Sequence, residues 1–530
     1  MAPTRSELSW SGWGDPAQAG PLSEEVHALL RDALGITHAN PAPASLDQVQ
    51  LEPVRLDAEI AAALRQLVGQ SGSDHEMRAR HALGRSTPDL LALRAGTPLP
   101  APDLVLMPGS HEEVLAVLDL CQARRVAVVP FGGGTSVVGG LRPAAAAFAG
   151  AIALDLRRLD RLRRVDVESR LAYVGPGLRG PDAEALLNER GYTIGHFPQS
   201  FEYATLGGFA AARSSGQASA GYGRFDELVV GLRVATPSGT LELGRAPRSA
   251  AGPDLRQLIL GSEGAFGVIT DLTVQVRPVP AVRRYDGWRF DSFASGGAAL
   301  RRLVQDGPRA TVLRLSDEAE TALGLARPER LGSGGDGGCL AIVGFEGTAA
   351  DVRDRRDAAE TVLRAAGATP VPEAGPDWEH GRFRGPYLRD ALLDAGALAE
   401  TLETACFWSG LPGLYRAVGD ALRESLTAQG TPPVILCHIS HVYAAGASLY
   451  FTVACAQRED PIAQWRAAKA AAMTAIQAAG GSISHHHGVG RDHAPWLAGE
   501  IGELGVAILS AIKREIDPAG VLNPGILVPS

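Results

Sequence analysis

Three consecutive histidines, His485 to His487, are the residues of this 530-residue sequence whose type and spacing point most directly to chemistry. Imidazole exchanges protons near neutral pH and is also a common metal ligand. The segment "SHHHGVG" therefore has three interpretations: a metal site, a surface histidine patch, or a loop that places an imidazole in an active site. Adjacent side chains on an extended backbone point to opposite sides, so three neighbours cannot bind one ion without a tight turn, and no HxxxH or carboxylate motif lies nearby. We predict no metal site.

A second chemical signal is the glycine loop "PFGGGTSVVGG", Pro130 to Gly140, which follows a β-branched run. Glycines let backbone N–H groups approach a ligand, most commonly phosphate, although an ordinary tight turn would use the same residues. The segment "GPGLRG", Gly175 to Gly180, matches a dinucleotide-binding pattern but lacks the acidic residue after the next strand, so we interpret it as a structural turn. Lysine occurs only at Lys469 and Lys513, outside any glycine loop, which excludes a P-loop.

The composition is that of a globular protein without a nucleic-acid partner. The formal net charge is −9, whereas nucleic-acid interfaces need a basic surface. Five cysteines without CxxC spacing predict reduced thiols in the core. We find no apolar run long enough to span a bilayer and no secretory leader, and we therefore predict a soluble, cytoplasmic protein.

Alternating strand and helix patterns predict an α+β fold in several parts, because 530 residues are too many for one core. We predict a helical N-terminal region over 1–100, an α+β domain over 101–281, a second α+β domain over 282–480 and a C-terminal segment over 481–530 with the histidine triplet. The glycine-rich stretch around Gly332 to Gly338 is predicted to be a mobile loop.

Three further small-residue segments follow the glycine loop: "QSFEYATLGGFAAARSSG", "YGRFDELVVGLRVATPSGT" and "GSEGAFGVITDLTVQVRPVP". Taken in this order, the motifs PxGGGTS, TLGG…RSSG and GSEGxxGVIT resemble the flavoproteins of the vanillyl-alcohol oxidase type over about residues 101–281. The resemblance implies an FAD-binding domain of two subdomains, followed by an α+β substrate (cap) domain. It also implies that the glycine loop cradles the FAD pyrophosphate.

The residues that this resemblance assigns to the cofactor are Pro130, Phe131, Gly132, Gly133, Gly134, Thr135, Ser136, Gln199, Ser200, Thr205, Ala212, Arg213, Ser214, Ser215, Glu263, Gly264, Gly267, Val268 and Ile269. Neither the glycine loop nor the GSEG segment contains a histidine or a cysteine. We therefore expect non-covalent FAD.

Segments spread over nearly the whole chain carry a narrower resemblance. "LSWSGWG", "VLRLSD", "YLRD", "CHISHVYAAGASLYF" and "GGSISHHHGVG" are similar to those of the alkyldihydroxyacetonephosphate synthase family. The resemblance implies that the acyl group of acyl-dihydroxyacetone phosphate is exchanged for a fatty alcohol, with flavin N5 holding the substrate and no net redox change. The residues that it assigns to the active site are Tyr450, His485, His486, His487, Arg389, Arg314 and His196.

These residue types suit the implied reaction. A proton must leave the carbon beside a ketone, which calls for a base such as Tyr450 or His486, and a phosphate or a departing carboxylate calls for a guanidinium group. Each residue taken singly also has a structural interpretation: a core aromatic for Tyr450, surface ion pairs for Arg314 and Arg389, and a turn residue for His196.

Two other functions stay open on the sequence. An FAD oxidase or dehydrogenase of a 2-hydroxy acid such as lactate or glycolate would use the same FAD domain, with His486 as base and Arg389 or Arg314 as carboxylate clamp. A flavin-binding or metal-binding protein without catalysis is the third hypothesis. For the transferase we expect a lipid substrate, peripheral contact with a membrane surface, and a homodimer.

Overall fold

The fold rests on β-sheets with helices packed on their faces. The computed structural model describes residues 7–43, 45–144, 146–324 and 337–528. Within those residues the strands are β1 (Ser71–Gly72), β2 (Leu104–Leu106), β3 (Val126–Phe131), β4 (Gly150–Asp155), β5 (Leu162–Asp166), β6 (Leu171–Val174), β7 (Tyr192–Thr193), β8 (Val229–Thr236), β9 (Gly239–Leu243), β10 (Val268–Gln275), β11 (Arg277–Pro278), β12 (Val282–Phe290), β13 (Val312–Ser316), β14 (Cys339–Gly347), β15 (Thr369–Val371), β16 (Ala397–Phe407), β17 (Val434–Val442) and β18 (Gly446–Ala456). The α-helices are α1 (Glu24–Leu34), α2 (Ala58–Gln66), α3 (His75–Arg80), α4 (Thr87–Arg94), α5 (His111–Arg124), α6 (Gly180–Asn188), α7 (Leu206–Ala212), α8 (Ser219–Tyr222), α9 (Phe225–Leu228), α10 (Arg256–Ile259), α11 (Phe293–Gln305), α12 (Glu318–Leu323), α13 (Ala349–Ala365), α14 (Ala374–Gly381), α15 (Gly385–Asp394), α16 (Leu411–Ala428), α17 (Pro461–Ala478) and α18 (Leu497–Ile516).

The N-terminal region contains helices α1 to α4, yet part of it belongs to the core of the next domain. Strand β1 pairs with β2, with Ser71 opposite Leu106. The fully buried Leu64 of α2 packs in the same cluster as Leu104 and Val117. This part of the region is therefore continuous with the sheet that follows it.

Two sheets make up most of residues 101–281. The first has the order β1-β2-β4-β3, and the second, antiparallel, has the order β5-β6-β10-β8-β9. Strand β3 is the almost continuously buried run "VAVVPF", which is typical of strands in parallel sheets. The glycine loop leaves its carboxyl end, which is the edge where such sheets bind ligands. The predicted α+β architecture with two subdomains is confirmed.

A seven-stranded antiparallel sheet, ordered β15-β12-β14-β13-β17-β18-β16, dominates residues 282–456. One face carries apolar side chains that pack with helices α16 and α17, as Leu449, Phe451 and the fully buried Trp465 illustrate. Because side chains alternate along a strand, Tyr450 between Leu449 and Phe451 points to the opposite face. That face looks toward the glycine loop across a cavity.

The segment after α18 returns to the first sheet. Leu522 forms a parallel bridge with Val128 of β3. The buried Asn523 donates its amide hydrogens to the carbonyls of Gly140 and Glu263, at 3.1 and 2.7 Å. The end of the described chain thereby braces both the glycine loop and the GSEG segment.

One helical stretch bears on the expectation that no segment of the chain spans a bilayer. The helical stretch Ala494–Ile516 is long and apolar enough to cross a bilayer by length and composition, with a mean hydropathy of 1.3 in a window that is only 6% buried. Glu500 and Glu503 interrupt the apolar residues of this stretch, so the sequence shows no continuous apolar run there. Its exposed apolar side chains include Ile501, Leu504 and Ile508.

Two further expectations concern the cysteines and a glycine-rich loop. All five cysteines are free thiols, and four of them are buried, which confirms the reduced core thiols. The predicted mobile loop around Gly332 to Gly338 lies mostly within 325–336, outside the described residues.

Candidate active site

A cavity of about 730 Å³ lies between the two halves of the chain. Such a volume lies in the range of small-molecule and cofactor pockets. One wall is built from the glycine loop and the small-residue segments after it, and the other from the polar face of the seven-stranded sheet, helix α15 and the histidine triplet. A ligand along the first wall would therefore present one of its faces to the second.

The first wall contains nearly all residues that the sequence assigns to the cofactor. The members that line the cavity are Pro130, Phe131, Gly132, Gly133, Gly134, Thr135, Ser136, Gln199, Ser200, Thr205, Ala212, Ser214, Ser215, Glu263, Gly264, Gly267, Val268 and Ile269. Arg213 is the exception. Its backbone is left-handed, with φ at 50°, and its guanidinium group donates to the carbonyls of Leu260 and Gln257, each at 2.8 Å. It ties α7 to the GSEG segment, away from the cavity.

The glycine wall has the shape of a cradle for a flat, phosphorylated ligand. A Cβ on Gly133 would overlap the carbonyl oxygen of Tyr203, so only glycine lets the loop approach the segment before α7 this closely. Gly264, with φ at +80°, lies against Pro130, and a Cβ there would meet the proline ring at 2.8 Å. By contrast, Gly175 packs against the backbone next to Leu159, as expected for a structural turn.

Glu263 connects this wall to the histidine segment. Its carboxylate accepts hydrogen bonds from the backbone N–H of Val489 at 2.8 Å and of Gly490 at 2.9 Å. Burial raises the pKa of Glu263 to about 7, and those two N–H groups oppose the shift. The glycines after the histidine triplet are thereby fixed to the GSEG segment.

On the opposite wall, Tyr450 stands between two imidazoles. Its ring stacks on His438 at 5.0 Å and on His486 at 6.1 Å between centroids. Its hydroxyl donates to Thr401 Oγ1 at 3.1 Å. Burial raises the pKa of Tyr450 to about 12, so the phenol carries its proton at neutral pH.

The histidine triplet is held by one carboxylate, that of Glu403. Its oxygens accept hydrogen bonds from the backbone N–H of His485 at 2.7 Å, His486 at 3.2 Å and His487 at 3.0 Å. The hydroxyl of Ser484 donates to it at 2.7 Å. Burial alone would raise the pKa of Glu403, but the three histidines and their N–H groups hold it well below its usual range. The side chain is therefore an ionised anchor.

The anchor also lies directly beside the tyrosine. Glu403 on β16 is the register partner of Tyr450 on β18. The sequence analysis missed Glu403, whose segment "ETLETACF" mixes acidic, hydroxyl and apolar residues and gives no signal of a buried carboxylate.

The three histidines have different surroundings. His486 and His487 line the cavity, whereas His485 lies behind them with its Nε2 2.7 Å from the hydroxyl of Tyr443. Burial lowers the pKa of all three imidazoles, to about 3 for His487. They are neutral near pH 7.

The geometric argument against a metal site needs a correction. The chain turns at the triplet, and the Nδ1 atoms of His485 and His486 lie 3.0 Å apart. Together with His441, these two residues form a group whose ligand atoms lie within 4.8 Å of one another. The sequence argument considered only the three adjacent histidines and did not include His441 of the "CHISH" strand.

Two of the predicted arginines line the cavity and are already paired. Arg314 Nη2 donates to Glu320 Oε1 at 2.5 Å and lies 3.0 Å from His438 Nδ1. Arg389 of α15 donates to Asp390 at 3.0 Å and to the carbonyl of Arg85 at 2.6 Å. Neither guanidinium is a free charge.

His196 lies behind the wall and does not line the cavity. It is 3% exposed, packs against Phe209 and Phe225, and contacts Ser214 Oγ through Nε2 at 3.1 Å. Burial lowers the pKa of His196 to about 3. A neutral ring that contacts the cavity-lining Ser214 acts on the cavity only through that serine.

Comparisons with known proteins agree with this architecture. A family model described as "FAD binding domain" matches residues 102–244, and one described as "FAD linked oxidases, C-terminal domain" matches residues 279–527. The solved structure of p-cresol methylhydroxylase with substrate bound has a TM-score of 0.68 at 15% identity, covering 89% of this chain and 96% of that chain, which supports the fold alone. The chain is therefore an FAD-dependent enzyme, and the glycine wall fits that cofactor.

Two comparisons are more specific. The alkyldihydroxyacetonephosphate synthase of Dictyostelium discoideum is 32% identical over 99% of this chain and 94% of its own length. A solved alkyldihydroxyacetonephosphate synthase structure superposes with a TM-score of 0.82 at 28% identity, covering 98% of this chain and 99% of that chain. On this full-length similarity, the chain belongs to the alkyldihydroxyacetonephosphate synthase family.

Proposed function

We propose that this protein exchanges the acyl group of acyl-dihydroxyacetone phosphate for a fatty alcohol. The observation that carries the proposal is a single cavity that joins a complete FAD cradle to Tyr450, His486 and cationic side chains. Full-length similarity to enzymes named as synthases of alkyldihydroxyacetone phosphate supports it.

The reaction balances without an external oxidant. The bond between C1 of the dihydroxyacetone unit and the ester oxygen breaks, and the fatty acid leaves. The alcohol oxygen forms a new bond to C1, and the alcohol gives up its proton. When bound, FAD would supply at N5 an acceptor for the electron pair that deprotonation leaves on C1, and it would undergo no net redox change over the exchange.

Side chains of this protein accept and donate the hydrogens of the reaction. A hydrogen on C1 is acidified by the neighbouring ketone and must pass to a base. His486 is neutral at pH 7 because burial lowers its pKa, so its imidazole accepts that proton, while Tyr450 keeps its phenolic hydrogen because its pKa is raised to about 12. The tyrosine then acts as a hydrogen-bond donor to the developing enolate oxygen.

Part of the cavity lining is suited to a hydrocarbon chain. It includes Leu22 and Val26 of the N-terminal region and Leu388 and Leu392 of α15. Apolar side chains gain by removing an alkyl chain from water. Fatty substrates reside in bilayers, and the exposed apolar side chains of α18 support the proposal of peripheral membrane contact. The predicted homodimer and cytoplasmic location stay predictions.

The hydroxy-acid dehydrogenase is the weaker alternative. Its carboxylate clamp was assigned to Arg389 or Arg314, and both are paired with carboxylates already. Anaerobic mixing with D-lactate or glycolate separates the two functions, because a dehydrogenase must bleach the flavin with the acid alone.

Tyr450→Phe is expected to abolish product formation while FAD stays bound, because only the phenolic hydroxyl is removed and the ring is kept. The measurement is formation of alkyl-dihydroxyacetone phosphate from acyl-dihydroxyacetone phosphate and an oxygen-18-labelled alcohol, with one fatty acid released per label incorporated. Tyr192→Phe on β7, outside the cavity, is the matched control. Wild-type turnover by Tyr450→Phe would exclude the role given to this hydroxyl.

The dependence of kcat on pH identifies the base. His486 has a lowered pKa, so its neutral form is lost only as pH falls below about 6.5, and kcat should be flat from pH 7 to 10. If the phenolate of Tyr450 were the base, kcat would rise about tenfold per pH unit across that range, toward its pKa of about 12. A sloping profile would therefore contradict the assignment to His486.

Glu403→Gln is expected to lower kcat at least about tenfold and to leave the flavin bound, because an amide cannot accept all the hydrogen bonds that fix the triplet. Loss of the negative charge also lowers the pKa of His486 further, so the acid limb of the pH profile should move to lower pH. Glu459→Gln, at an exposed acidic residue, is the control. A reduced kcat with an unmoved acid limb would indicate a purely structural role.

The FAD is expected to be held non-covalently, because neither the glycine loop nor the GSEG segment contains a histidine or a cysteine. Acid precipitation of the purified yellow protein should leave the flavin in the supernatant. Yellow colour that stays in the washed pellet would show a covalent bond to another residue.

A further inference from the structure

Some of the arginines that line the cavity are paired with carboxylates and others are not. Four arginines line it: Arg314, Arg382, Arg384 and Arg389. Arg314 is paired with Glu320 and Arg389 with Asp390. Within the part of the chain that the structure describes, neither Arg382 nor Arg384 has a carboxylate at ion-pair distance. The anion-binding capacity of the cavity therefore lies in the segment before α15.

Arg382 is held in place without being neutralised. Its guanidinium carbon lies 5.4 Å from the ring of Phe197, 5.5 Å from that of Trp378 and 5.0 Å from that of Phe383. Aromatic faces attract a guanidinium group and fix its plane, but they leave its N–H donors available. Arg384 is exposed and has no such ring contacts in the described residues.

The backbone of Arg382 is fixed to the cofactor half of the molecule. Gln217 donates from Nε2 to the carbonyl of Arg382 at 3.1 Å. The neighbouring Phe383 stacks on Phe201 at 5.8 Å, next to the cavity-lining Gln199 and Ser200. Arg382 therefore occupies the junction between the cofactor wall and the substrate wall, with its position set by both.

We propose that Arg382 binds the phosphate of the substrate. This inference rests on the proposed function, which requires a phosphorylated ketone beside the flavin. A phosphate monoester is a dianion whose oxygens match the planar fork of a guanidinium group. The two arginines that the sequence singled out are paired internally, and they also contact His438 and the carbonyl of Arg85.

The test uses the flavin-loaded protein and two readouts. The first is the dissociation constant of inorganic phosphate, followed by the flavin absorbance difference at constant ionic strength. The second is KM and kcat with acyl-dihydroxyacetone phosphate. Arg382→Gln should raise both the phosphate dissociation constant and KM about tenfold or more, with kcat within threefold of wild type and an unchanged flavin content. The phosphate dissociation constant and KM of Arg382→Lys should lie between those of wild type and Arg382→Gln, because lysine keeps the positive charge but lacks the planar fork of the guanidinium group.

Arg416→Gln is the matched control, since it removes the same charge at an exposed arginine that does not line the cavity. It should change the phosphate dissociation constant by at most about threefold. An unchanged constant in Arg382→Gln would overturn the inference, and so would an equal effect in both variants. Loss of flavin from Arg382→Gln would assign the guanidinium to the cofactor's own phosphates and overturn it as well.

The two proposals fail in different ways. If the wild-type protein binds phosphate through Arg382 but forms no alkyl product, the proposed function is wrong and the phosphate site stands. If the product forms and Arg382→Gln behaves as wild type in both readouts, only the inference about Arg382 is wrong.

Discussion

The buried carboxylate of Glu403 accepts hydrogen bonds from three successive backbone N–H groups and holds the histidine triplet against the strand next to Tyr450. A buried N–H group without a partner costs about 1–3 kcal/mol, so a neutral or shorter side chain would leave this turn unsupported. The same negative charge raises the pKa of His486 against the effect of burial. Both the position of the imidazole and its proton affinity depend on this one interaction.

A second carboxylate, that of Glu263, fixes the histidine segment to the FAD-binding half of the chain. Glu263 binds the N–H groups of Val489 and Gly490, directly after the triplet. Glu403 belongs to the seven-stranded sheet, and Glu263 belongs to the GSEG segment. The histidine segment is thus clamped between the two domains, and the distance from His486 to a bound flavin is set by how these domains pack.

The sequence predicted the cofactor wall well because glycine positions carry direct geometric information. Gly133 and Gly264 stand where a Cβ would collide with neighbouring chain, so the spacing of the motifs already describes the wall. Arg213, which the sequence assigns to the cofactor, does not line the cavity, because the direction of its side chain depends on a left-handed backbone that the sequence does not reveal. Glu403 was missed for a related reason, since an acidic residue on a strand is equally compatible with a solvent-facing position until the histidine segment is packed against it. The pairing of Arg389 likewise depends on its contact with Asp390, which the motif "YLRD" contains but does not orient.

The return of the chain to β3 also bears on how the protein is made. Asn523 reaches the carbonyl of Gly140 across 383 residues of sequence. Domains generally form in the order of their synthesis, yet strand β3 gains its neighbour Leu522 only after the whole cap domain has been translated. The edge of β3 in the FAD-binding half therefore stays unpaired until the following domain has been synthesised. An unpaired strand edge of this kind can pair with other chains and cause aggregation.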